Sequence, residues 1–187
     1  MMKMKAEIER KMDEEIKKMR DEIMKMKEER QRMMEMMTLA VDSGQIICVK
    51  YTNNQSADNN GYKDLKTGRQ NHLVASNLGH LGHAKKDDIV MICSDDHIDF
   101  GIILEKVEPS DIWQAEGGKK WKYNFRYHPI AEDLEFSTIK QMVNFLAKEL
   151  EVTDKNMFNT RLCGYGERFR PVLKALFINL EKQKMLI

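Results

Sequence analysis

Hydrophobic side chains recur every three to four residues along the first forty positions. With Ile16, Ile23, Arg30 and Met37 at heptad position a, position d holds Met12, Met19, Met26 and Met33. Seven of these eight are apolar. A 3.5-residue repeat keeps one seam turned toward a partner helix, so the pattern predicts a coiled coil over residues 1–41. Position g carries Glu15 and Glu22, and position e carries Arg20 and Lys27. In a parallel pair these meet as Glu15 with Arg20 and Glu22 with Lys27 of the other copy. Each pair contributes only roughly 0.3–0.5 kcal/mol, but together they set orientation. No proline or glycine occurs before Gly44, which is the expected helix end. Isoleucine at a favours a homodimer. Methionine at d specifies less sharply, so a trimer stays open. Arg30 lowers the stability of the seam and is a candidate for fixing register.

Beyond Gly44 the period changes. Residues 45–52 (QIICVKYT) are rich in β-branched side chains and predict a strand. Residues 53–71 are polar, with clustered Asn, Asp, Ser and Gly, and predict a long loop. Short strands follow at 72–76, 88–94 and 100–107. Their lack of strict alternation implies that both faces are buried. Residues 108–120, containing Pro109, Trp113, Gly117 and Gly118, predict an excursion. From 121 to 127 the aromatics Trp121, Tyr123, Phe125 and Tyr127 alternate with polar residues, which places all four on one strand face. Helical spacing returns at Ile139, Met142, Val143, Leu146 and Leu150, with Ser137 as the expected N-cap. Residues 154–170 predict a short helix and a glycine loop. Pro171 suits the first turn of a last helix that buries Leu173, Leu176, Phe177 and Leu180. Strands followed by helices give an α+β class: an oligomerisation helix (1–41), then a small mixed barrel or sheet domain with C-terminal helices (45–187).

Composition narrows the setting. Hydrophobic residues make up 42% and charged residues 33%, and no apolar run spans a bilayer. Residues 1–38 hold eleven basic and ten acidic side chains, which argues against a basic membrane-surface helix. The three cysteines, Cys48, Cys93 and Cys163, are scattered and odd in number. They read as reduced thiols in an intracellular chain, cytoplasmic or nuclear.

The stretch HAKKDDIVMICSDDHIDFGIILEKVE, an aromatic strand ending in His128-Pro129-Ile130, and a Phe-Ser-Thr-Ile segment opening a helix together resemble the EVE branch of the PUA-like β-barrels over about residues 83–145. The resemblance implies a small barrel that binds nucleic acid, often a modified or flipped base, in an aromatic pocket. Two departures stand against it. Residues 45–52 lack the tryptophan of the family's opening strand, and the long leading helix and the basic tail are foreign to its core.

Candidate chemistry follows from residue type. Trp121, Tyr123 and Phe125, with Trp113 from the excursion, can stack on bases; the same strand face serves equally as a barrel core. Lys85, Lys86, Lys120 and Arg126, together with Arg168 and Arg170 around the glycine loop, are candidates for phosphate contact. His72, His80, His83, His97 and His128 lack the spacing of a metal site, so no metal and no cofactor are expected. Asp95, Asp96, Asp99 and Glu105 imitate an acidic nuclease cluster without its lysine. The expectation is an oligomeric protein that binds DNA or RNA, with a structural adaptor docking another protein as the alternative.

Overall fold

The computed structural model describes residues 2–50, 68–76, 81–94, 96–108, 121–152 and 169–187. Helix α1 runs Met2–Ser43, 42 residues without a break. It ends where Gly44 donates its N–H to the Ala40 carbonyl at 2.8 Å. A Cβ at Gly44 would lie 2.3 Å from the Asp87 carbonyl oxygen and 2.7 Å from that of Ala40, so this close chain crossing requires glycine. The chain divides into two units, Met1–Met37 and Thr38–Ile187.

Within the second unit, five strands form one curled mixed sheet, a half-barrel, in the order β1-β3-β4-β5-β2. They are β1 (Ile46–Lys50), β2 (Leu73–Ser76), β3 (Ile89–Cys93), β4 (His97–Lys106) and β5 (Tyr123–Glu135). β1 pairs parallel with β3, whereas β3/β4, β4/β5 and β5/β2 are antiparallel. Buried Asp88 locks the parallel pair: its carboxylate accepts the Gln45 and Lys85 N–H groups at 2.8 and 2.9 Å. Charged acceptors on backbone donors make strong bonds.

All five residues of β3 are buried, because both sheet faces are covered. One face packs Ile47, Val49, Val74, Val90, Ile92, Ile103, Phe125 and Tyr127 together. On the other, Phe100 meets Phe177 edge-on, ring centroids 5.4 Å apart. Phe177 belongs to α3 (Arg170–Lys182), which packs beside α2 (Phe136–Glu149). The expected buried face of α3 is present, with Leu173, Leu176, Phe177 and Leu180 all buried. Arg170 donates to the Val41 carbonyl at 2.7 Å and satisfies a carbonyl in the last turn of α1. Cys48 and Cys93 are buried on β1 and β3, their sulfurs 3.8 Å apart.

Three boundaries differ from expectation. β5 does not stop near residue 127 but continues to Glu135. It accommodates Pro129 at a register shift between the Phe100–Ala131 and Gly101–Pro129 pairs, where a missing N–H is tolerated. β4 begins at His97, three residues before the predicted start, because Ser94 and His97 close a tight turn (Ser94 N–H to His97 carbonyl, 2.8 Å). Helix α2 is entered at Glu135 rather than Ser137; the hydroxyls of Ser137 and Thr138 donate to the Glu135 carboxylate at 2.6 and 2.7 Å. These bonds hold the exposed Glu135 carboxyl below its ordinary pKa.

Candidate functional site

Between Ala131 and Leu134, β5 carries one residue more than the facing stretch of β4 (Phe100 to Ile98). Such a bulge leaves a backbone N–H without a ladder partner and re-aims the side chains beside it. Here Asp133 takes a left-handed backbone (φ 59°), and its N–H is captured by Asp99 Oδ1 at 2.7 Å. The Asp99 carboxylate is fully buried. Arg69 grips it with two donors, Nε to Oδ2 at 2.7 Å and Nη2 to Oδ1 at 2.8 Å, and reaches Asp133 at 3.3 Å through Nη1. A planar guanidinium meeting a carboxylate through two bonds is the strong geometry for such a pair. Arg69 lies in the helical turn 68–71, which enters β2 through His72, itself left-handed at φ 49°.

His72 brings the second half of the cluster into place. Its carbonyl accepts the Tyr127 N–H at 2.9 Å, and its ring lies tilted beside the Tyr127 ring at 5.8 Å. Glu132 Oε1 accepts from the Tyr127 hydroxyl at 3.4 Å and lies 3.7 Å from His72 Nε2. His97 Nε2 is 3.7 Å from Asp133 on the exposed side. Burial first, then the charge of Asp99, raises the pKa of the Glu132 carboxyl. Burial, then the charge of Glu132, pushes the Tyr127 phenol far above its ordinary range, so it remains a donor. Burial, then the proximity of His72, lowers the pKa of His128.

The predicted stacking face distributes differently from a cage. Phe125 is buried in the core, with Trp121 and Tyr123 half-buried against it. The Tyr123 ring lies so close to Gly82 that a Cβ there would sit 2.6 Å away, and Lys122 covers the ring at 5.2 Å. Of the phosphate candidates, Lys85 and Lys86 are exposed at the turn before β3. Arg126 is exposed and pairs with Glu105 at 3.1 Å. Arg170 is engaged by Val41. Trp113, Lys120 and Arg168 lie outside the described residues, as do His80, Asp95 and Cys163. Asp96, Asp99 and Glu105 do not converge: Asp96 is exposed, Asp99 is held by Arg69, and Glu105 by Arg126. Among the described residues no group of three or more His, Cys, Asp or Glu side chains is placed to hold a metal ion.

Sequence reasoning missed Arg69, Glu132 and Asp133. Arg69 lies in a stretch that predicts only loop, and the two acids follow a proline that signals a strand end. Two adjacent carboxylates shortly beyond the aromatic stretch and its proline were the available signal, but a bulge is needed to bring both to the cluster.

On α1 the seam positions from Met12 to Arg30 are open. Met12, Ile16, Met19, Ile23 and Met26 are 55, 38, 54, 46 and 60% exposed. Met33 is half-buried and Met37 buried. Glu15, Arg20, Glu22, Lys27 and Arg30 are exposed beside or within the seam. Ion pairs along this helix include Lys11–Glu7, Arg10–Glu14 and Lys25–Glu29, at 3.5 to 3.9 Å. No helix among the described residues is long and apolar enough to cross a membrane. No protein-family model and no curated protein matches the chain.

Proposed function

We propose that the chain is an oligomeric nucleic-acid-binding protein, in which α1 pairs copies and the half-barrel domain supplies a modest site per copy. The observation that carries the reading is the exposed stripe of Met12, Ile16, Met19, Ile23 and Met26. These five side chains lie in one row, and burying the exposed part of each stabilises a pair by about 1 kcal/mol. The complementary g and e charges favour a parallel homodimer. Two linked sites then multiply a weak affinity.

Nucleic acid is favoured as the ligand by the exposed Lys85 and Lys86 at the turn before β3. The curl is compatible with the EVE-type resemblance. Binding is favoured over catalysis because Asp99 and Asp133 are both engaged by Arg69 and Glu105 by Arg126. The adaptor reading draws on Phe145 and Leu150 on and after α2 and Ile178 on α3, exposed by 63, 44 and 43%.

The test is anisotropy titration of labelled single- and double-stranded DNA and RNA at two salt concentrations. Saturable binding that weakens steeply with salt is the expected result. Absence of binding at low salt overturns the reading and favours the adaptor. Metal-dependent cleavage of the probe in the same tubes would overturn it in favour of an enzyme.

A further inference from the structure

Eleven of the fifteen methionines lie in the first 43 residues. Four of them, Met12, Met19, Met26 and Met33, fill position d of every heptad from residue 12 to 33. Met12, Met19 and Met26 are each more than half exposed on α1, and Met33 is half-buried. The five strands of the domain together contain a single methionine, Met91. Leucine at d would specify a seam more sharply, so packing alone does not account for methionine at all four positions.

A thioether differs from leucine in having two states. It is apolar and polarizable when reduced, and polar as the sulfoxide. With a peroxide as oxidant, the sulfur lone pair attacks one peroxide oxygen. The O–O bond breaks as the S–O bond forms. The departing oxygen takes the proton from the new S–OH and leaves as water, so sulfur is oxidised and the peroxide reduced. The product carries no charge but bears a strong acceptor oxygen. In a paired seam that oxygen would lie among Ile16 and Ile23, which have no donor, and burying an unpaired acceptor opposes association. On a single chain the same oxygen is solvated. Oxidation therefore draws on the single chain and holds it there, until sulfoxide reductases return the thioether. We propose that Met12, Met19 and Met26 are a reversible oxidation site, at which a peroxide switches the α1 seam from self-association to the single chain. This rests on the pairing of α1 proposed above and names its regulation.

The test is light scattering on the full-length protein before and after hydrogen peroxide, with peptide mass spectrometry to locate the added oxygen. The reduced protein is expected to pair. The protein oxidised at Met12, Met19 and Met26 should associate at least about a hundredfold more weakly, and should pair again after treatment with the two methionine sulfoxide reductases. Met12→Leu combined with Met19→Leu and Met26→Leu keeps the seam apolar, so this variant should pair and stay paired in peroxide. Met24→Leu removes a methionine as exposed as Met26 but at position b, off the seam, and should leave the response unchanged. Undiminished pairing after oxidation at all three positions overturns the switch and leaves the pairing standing. Dissociation of the triple leucine variant in peroxide overturns it too, by placing the effect outside the seam. Loss of pairing together with loss of the domain's cooperative thermal melt does the same, because unfolding would then be the cause. A reduced protein that is already a single chain overturns the pairing of α1 itself, and the switch with it.

Discussion

At the scale of single residues, the weightiest side chain is Asp99. It is buried, charged and holds three donors, two from Arg69 and one from the Asp133 backbone. Asp99→Ala would strand the guanidinium and the bulge N–H together. The expected loss is about 3–5 kcal/mol in urea unfolding. A double-mutant cycle with Arg69→Ala should show strong coupling, and additivity would mean that the clamp is not a unit. Gly101 is the second sensitive position. A Cβ there would meet the Tyr127 ring at 2.3 Å. Gly101→Ala should therefore cost about 1–3 kcal/mol by overpacking.

His128 gives the domain a pH signature. Its native pKa lies below the ordinary 6.5, because burial and the nearby His72 disfavour the charged ring. The unfolded chain therefore takes up the proton first as pH falls. The His128 contribution is fully present above pH 6.5 and is lost on acidification through the lowered native value. Glu132 acts with the opposite sign, since a raised carboxyl pKa favours the folded state in acid. His128→Gln should flatten the loss of stability between neutral and mildly acidic buffer. An unchanged pH profile would show that His128 is not the group responsible. Nothing in the local sequence around His128 announces this shift; it arises from the sheet that buries the ring and from His72 in the turn before β2.

At the scale of elements, α1 is the most legible part of the chain. A 3.5-residue repeat needs no tertiary information to declare a seam, and the helix forms with that seam exposed from Met12 to Arg30. If copies pair through this seam as proposed, Ile16→Lys combined with Ile23→Lys should give a single chain in light scattering while far-ultraviolet circular dichroism of the domain persists. An unchanged mass would remove the coiled-coil reading. The strands were legible in type and less so in extent. Period-2 aromatics marked the start of β5, but Pro129 hid its second half, because proline is tolerated only where a bulge already interrupts the ladder. Helix α3 was readable in full from Pro171 and its apolar stripe, since one helix face against a sheet is a local pattern.

At the scale of the whole molecule, the two units divide the work proposed for them: association in one, recognition in the other. Their combination predicts a dependence on ligand valency. A nucleic acid with two binding segments should bind the native protein at least about tenfold tighter than one with a single segment. The gain should vanish in the doubly substituted seam variant, while its affinity for the single segment stays the same. A gain that survives in that variant would place the two contacts within one chain. Topology adds what no segment shows alone. β1 and β3 are parallel neighbours, yet β2, between them in sequence, lies at the opposite edge of the sheet beside β5. That placement delivers Arg69 and His72 to Asp99, Tyr127 and Glu132.

By itself, the sequence determined the local matters: a heptad helix, strands rich in β-branched and aromatic residues, two amphipathic helices, and thiols without a disulfide pattern. These follow from periodicity and side-chain shape, which act over neighbouring residues. Only the tertiary structure decided that Phe125 belongs to the core, that Arg170 closes a helix end, and that Arg69 and Asp99 meet across thirty positions of chain. Burial and charge pairing depend on which strands lie side by side, and that order is set by the packing of the whole sheet rather than by any stretch within it.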